Sequence, residues 1–140
     1  GILGINIDYT EWGKIYEISG KYIIFNTGSY HVGAINENND VLFWGYNRYK
    51  QCGSNYDKDG LNIPTKICVN IDNVCDIKCG SYHNIIKTIN NEYYSFGNNY
   101  DDQLLLDTFD DHVLKPTKIN ETYIKNETQL NSDIIDIIPG

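Results

Sequence analysis

Two histidines, His31 and His83, end the same four-residue word, Gly-Ser-Tyr-His, at 28–31 and 80–83. A serine two residues before a histidine suggests a nucleophile and its base, and a pair of histidines suggests metal ligation. Repetition of the whole word argues against both. If the word belongs to the scaffold of successive units, the two imidazoles stand about 10 Å apart, as packed sheets do, too far for one zinc ion. Each histidine then satisfies backbone groups within its own unit. His112 lies among Asp107, Asp110 and Asp111. A hard cation there needs converging oxygens, and the run lacks EF-hand spacing, so it reads as a solvated acidic loop.

Cys52, Cys68, Cys75 and Cys79 form no C-x-x-C pair, so a zinc site has little support. On a strand, Cys75 and Cys79 would share one face about 7 Å apart, too far for a comfortable disulfide. Buried thiols in a reducing compartment are the expectation. No Ser-His-Asp signature, P-loop or dinucleotide fingerprint appears. The sequence therefore assigns no catalytic residue, no metal ligand and no cofactor, and the chain reads as a non-enzyme.

The formal net charge is −8, with 19 acids against 11 Lys and Arg. The single arginine is Arg48. A phosphate-binding surface needs clustered cations, so direct nucleic-acid binding is not expected. Nor is a membrane partner: no apolar run approaches the roughly 18 residues that span a bilayer, and no signal peptide is visible. The expected location is intracellular, cytoplasmic or nuclear. The sequons at Asn120 and Asn126 are no more than the Asn content yields by chance.

Strands must position these residues. "HVGAIN", "DVLFWG", "TKICVN" and "NVCDIKC" are short, rich in β-branched and aromatic residues, and bounded by Gly, Asn, Asp and Pro. "ENND" at 37–40 and "INNE" at 89–92 suit tight hairpins. No sustained 3.6-residue periodicity is evident. Laid without gaps on 80–119, residues 28–67 match at 14 of 40 positions, where chance gives about three. The equivalent positions include Gly28 and Gly80, His31 and His83, Gly45 and Gly97, and Pro64 and Pro116. Trp44 answers Phe96, and both are expected to fill space between sheets. Each proline is expected at the first residue of a returning strand, where a missing N–H does least harm.

The flanks repeat the unit more faintly, with "WGKI" near the start and "IIDIIPG" at 134–140. We expect the tail of one repeat at 1–27, a complete repeat at 28–79, and another at 80–140 with an insertion near 120–132. A unit of about 50 residues with four short strands is the size of a propeller blade.

The pattern Cys79-Gly80, His83, Phe96-Gly97-Asn98-Asn99, Gln103-Leu104, Pro116-Thr117-Lys118-Ile119 resembles the repeat of the regulator of chromosome condensation family. Thr27-Gly28, His31, Trp44-Gly45-Tyr46-Asn47, Gln51-Cys52-Gly53 and Pro64-Thr65-Lys66-Ile67 are an earlier copy. It departs from the family's pattern at Thr27 and Cys52, and the later copy departs at Leu105. The resemblance implies an all-β fold, a β-propeller segment of about two and a half four-stranded antiparallel blades. It further implies a ring of seven blades, of which this chain is a part. It implies protein partners bound through loops on one face. The first functional expectation is an interaction scaffold; the alternative is a guanine nucleotide exchange factor for a Ran-like small GTPase.

The repeat itself suggests where partners bind. Scaffold positions recur because every blade needs them, while long loops that differ between copies are free for recognition. The two such loops are 46–63 and 98–115, where Arg48-Tyr49-Lys50 is answered by Tyr100-Asp101-Asp102. These six residues are the candidate contact positions. The plainer reading of the 12 tyrosines is that most are packing.

Overall fold

A computed structural model of the chain describes residues 20–130. The flanking motifs at 1–19 and 134–140 lie outside the described residues. Eight strands run in chain order: β1 (Tyr22–Thr27), β2 (His31–Asn36), β3 (Val41–Tyr46), β4 (Gly60–Lys66), β5 (Val74–Cys79), β6 (His83–Thr88), β7 (Tyr93–Asn98) and β8 (His112–Lys118). They form two four-stranded antiparallel sheets, β1-β2-β3-β4 and β5-β6-β7-β8.

The β2–β3 and β6–β7 hairpins turn where the Asn-rich stretches stand. Asn39 at φ 63° and Asn91 at φ 60° take the left-handed conformation that asparagine tolerates best among residues with a side chain. Asn36 accepts the backbone N–H groups of Asn38 and Asp40 at 3.0 and 2.9 Å, bracing the first turn.

The sequence repeat and the sheets are out of phase. The unit from 28 to 79 supplies β2, β3 and β4 to the first sheet and β5 to the second. Each repeat therefore bridges two sheets, and β5 lies against β1 and β2. Between the sheets, the Phe43 and Phe96 rings meet edge-to-face at 5.1 Å, both fully buried. Ile77 reaches the face of β2, where a Cβ on Gly33 would meet it at 3.1 Å. Asn26 ties the inner edges by accepting the Cys79 N–H at 2.8 Å.

Several expectations need correction. Trp44 is fully buried but on the opposite face of β3 from Phe43, beside Tyr22 and Phe25 at 6.4 and 6.2 Å. Of the aromatic pair, only Phe96 fills the space between the described sheets. The prolines are not first in their strands. β4 begins at Gly60 and β8 at His112, so Pro64 and Pro116 sit inside edge strands. The register slips there, between Phe43 and Gly45 and between Ser95 and Gly97, which leaves the proline out of the ladder. "TKICVN" leaves the sheet after Lys66.

Cys75 and Cys79 do not share a face. A bulge between Val74 and Asp76 breaks the alternation, so Cys75 is exposed and Cys79 buried. Cys52 is buried too, and burial raises both buried thiols to about 12, leaving them unreactive at neutral pH. The strand-only reading also missed a helix, α1 (Glu121–Leu130), within the extra residues of the second unit. Asn120 caps it, accepting the Thr122 N–H at 2.9 Å, and Glu121 favours the positive end of the helix dipole.

Candidate functional site

The loops after β3 and β7 are built on one plan. Asn47 Nδ2 donates to the Lys58 carbonyl at 3.0 Å while its Oδ1 accepts the Cys52 N–H at 2.9 Å. Asn99 does the same with Asp110 and Leu104 at 3.1 and 3.2 Å. Gln51 Oε1 accepts the Tyr49 N–H at 3.0 Å, and Gln103 Oε1 accepts the Asp101 N–H at 2.9 Å. The invariant amides thus replace the ladder the backbone has just left. Lys50 at φ 64° and Asp102 at φ 54° occupy the same left-handed position in the two loops.

Gly45 and Gly97 set where each loop departs. Both have φ 108°, and a Cβ on Gly45 would sit 2.6 Å from the Tyr30 carbonyl. That carbonyl accepts the Tyr46 N–H at 2.8 Å, and the Tyr82 carbonyl accepts the Asn98 N–H at 2.9 Å. The glycine therefore brings Tyr30 next to the first loop and Tyr82 next to the second.

The result is a continuous ridge of rings across both sheets. Tyr30 stacks on Tyr82 at 5.7 Å with the planes 16° apart. Tyr82 meets Tyr46 at 6.1 Å and Tyr49 at 4.9 Å. Tyr49 meets Tyr100 at 6.3 Å, and His112 lies 5.3 Å from Tyr49 and 5.2 Å from Tyr100. Tyr30 is 51% exposed and Tyr100 57%. Partial desolvation, and then the neighbouring phenols of Tyr30, Tyr49 and Tyr46, raise the pKa of Tyr82.

Of the six candidate contact residues, the structure brings Tyr49 and Tyr100 together and leaves Arg48, Asp101 and Asp102 exposed at the loop surface. Lys50 is held by Asp57 at 2.5 Å. The expectation missed Tyr30, Tyr46, Tyr82 and His112. Tyr30 and Tyr82 were legible only as repeated letters, because a repeated position reads as scaffold. Their stacking depends on how closely adjacent sheets approach at this end. His112 does not lie loose in an acidic loop; it begins β8 and packs between two tyrosines.

Beneath the ridge, His31 Nε2 donates to Asn84 Oδ1 at 2.7 Å, and Asn84 Nδ2 donates to the Gln51 carbonyl at 2.6 Å. This buried chain links the sheets through a side chain of the neighbour, not through backbone groups of His31's own unit. The His31 Nδ1 has no partner among the described residues, so a second proton there would be a buried unpaired donor. Burial accordingly lowers the His31 pKa to about 4, with His83 adding to the shift and the Asn84 bond opposing it. The two inner edges are closer than 10 Å here: a Cβ on Gly28 would overlap both the His31 ring and the Gly80 carbonyl. Gly80 is packed in the same way by His83. No group of three or more His, Cys, Asp or Glu side chains among the described residues is placed to hold a metal.

Two four-stranded antiparallel sheets, stacked and phase-shifted against their sequence repeat, define successive blades of a β-propeller. The sequence model of the regulator of chromosome condensation (RCC1) repeat matches residues 38–86. That stretch, from the β2–β3 turn into β6, carries a repeat of this family. It is 35% identical over 99 residues to a bifunctional serine/threonine-protein kinase/NEDD4-like E3 ubiquitin-protein ligase of Dictyostelium discoideum. That match covers 66% of this chain and only 5% of the larger protein. Among solved structures, Prp20p of Saccharomyces cerevisiae superposes with a TM-score of 0.70 at 18% identity, over 88% of this chain and 32% of that one. Human WBSCR16 superposes with a TM-score of 0.67 at 18% identity, over 77% and 28%. These likenesses show the fold.

Proposed function

We propose that this segment is a protein-interaction scaffold, and that its partner-binding surface is the loop end of the blades, formed by 46–63 and 98–115. One observation carries the reading: two long loops of equal length but mostly different side chains converge on a shared, half-exposed tyrosine ridge. Tyrosine combines large contact area with a polar tip and is favoured at binding hot spots. His31, His83, Cys52 and Cys79 are buried in the scaffold, and His31 is bonded to Asn84. Prp20p has binding properties towards Gsp1p and histones, and a second structure is of yeast RCC1 (Prp20) bound to Kap60. These are protein partners of a propeller with this fold, and they support a protein partner here. The two blades cover about a third of the Prp20p chain, in keeping with a ring of seven. In this reading the exchange-factor alternative would use the same face without covalent chemistry.

The test is site-specific photo-crosslinking in the full-length protein, with the probe at position 49 or 100 and, as the control, at Asn39 or Asn91 on the hairpin end. The reading expects discrete partner adducts from the first pair only. Equal adducts from both ends would refute it. A nucleotide-release assay with a Ran-type GTPase separates exchange activity from scaffolding.

A further inference from the structure

We propose that the tyrosine ridge of this scaffold receives a partner segment that presents lysine or arginine side chains, held over the phenol rings and rimmed by the carboxylates of the second loop. The inference rests on the scaffold reading and narrows it to one chemistry.

Three observations lead there. The ridge is a set of π-faces in contact across both blades, from Tyr30 through Tyr82 and Tyr49 to Tyr100. With the outer rings half-exposed, a cation can approach a ring face within the roughly 6 Å at which the ring quadrupole attracts it. Next, the charge around the ridge is one-sided. Residues 99–111 hold five aspartates and no cation, and Asp101, Asp102 and Asp111 beside Tyr100 and His112 are all exposed. Residues 47–59 hold three cations and two aspartates, and Lys50 is already spent on Asp57. Last, the rings carry hydroxyls, which suit a charged, hydrated side chain better than an aliphatic one. Arg48 and Lys58 are the exposed cations of the first loop; they mark the first-blade end as the limit of the cation-accepting stretch.

An acidic partner would have to face the five aspartates with only Arg48 and Lys58 of the first loop to answer them. A nucleic acid would meet the same repulsion. A basic peptide gains from both the rings and the rim.

The experiment selects peptides from a random displayed library on the full-length protein, then titrates the enriched peptides by fluorescence anisotropy. Enrichment of Lys or Arg is expected. Tyr100→Ala should weaken binding about 5-fold, and Tyr100→Phe, which keeps the π-face, less than about 2-fold. Asp101→Asn with Asp102→Asn should weaken it a few-fold and flatten its salt dependence. Glu37→Gln, on the opposite hairpin end, should change nothing. Because Tyr100 is half-exposed, these variants are expected to fold, and a thermal melt checks that they do. Enriched peptides that lack cations yet depend on Tyr100 overturn this inference and leave the scaffold reading standing. Basic peptides that bind Tyr100→Ala and wild type alike, and lose equally to Glu37→Gln, overturn it as general charge attraction. Peptides that depend on no residue of the ridge overturn both.

Discussion

The two blades answer each other position for position, and the differences fall into two kinds. Gly28 and Gly80 agree because a histidine ring lies against each, and Asn47 and Asn99 agree because each replaces lost ladder bonds in its loop. Arg48 and Tyr100, or Val32 and Asn84, differ without disturbing the backbone. The lesson is that identity between repeats records a backbone demand, whereas difference records either recognition or an interblade contact. Asn84 is the second case. It stands where the first blade has Val32, and its amide bridges His31 to the Gln51 carbonyl.

Breaking the blade–blade packing should give the largest effect. Phe43→Ala and Phe96→Ala each remove a fully buried ring and should cost about 3–5 kcal/mol in urea denaturation of the full-length protein. Their double mutant should fall short of additivity by about 1 kcal/mol, because the rings touch each other across the gap. Strict additivity would show that the blades do not meet through this pair.

The histidine link comes next. His31 has a folded-state pKa of about 4, below the ordinary 6.5. The neutral ring is thus the form the fold accepts. Stability is full above about pH 6.5, falls as pH drops towards 4, and the total loss is about 3 kcal/mol. A denaturation series between pH 7 and 4, wild type against His31→Gln, isolates this contribution from that of the carboxylates. Asn84→Val copies the first blade's residue into the second. It should destabilise by about 1–3 kcal/mol, since it leaves His31 Nε2 and the Gln51 carbonyl unpaired in a buried site.

The smallest effect concerns a position where the blades disagree against backbone preference. Gly53 at φ 58° is answered by Leu105 at φ 54°. Leu105→Gly should stabilise by up to about 1 kcal/mol, read as a rise in thermal midpoint, because it removes the left-handed penalty of a branched residue. The reverse change, Gly53→Leu, should destabilise, since a Cβ there would stand 2.8 Å from the Phe96 ring.

Much of this architecture was legible because repetition is a strong signal. The strands, the hairpin turns and the blade size followed from a pattern 52 residues long written twice. What stayed hidden was set by geometry between blades. The bulge at Cys75, the prolines inside edge strands and the phase shift between repeat and sheet all depend on register, which alternation alone does not reveal. The candidate contact loops could be named, and Tyr49 and Tyr100 with them. Tyr30 and Tyr82 could not, because their role arises from the approach of two equivalent backbones, not from any residue's own neighbours in the chain. The helix at 121–130 escaped because it is short and carries few apolar residues.

The central claim is that this propeller meets its partner through the tyrosine-bearing loop end. Hydrogen–deuterium exchange on the full-length protein, alone and with its crosslink-identified partner bound, tests it most directly. Slowed exchange at 46–59 and 98–112, with 36–40 and 88–92 unchanged, is the predicted result. Protection confined to the 36–40 and 88–92 hairpins would contradict it.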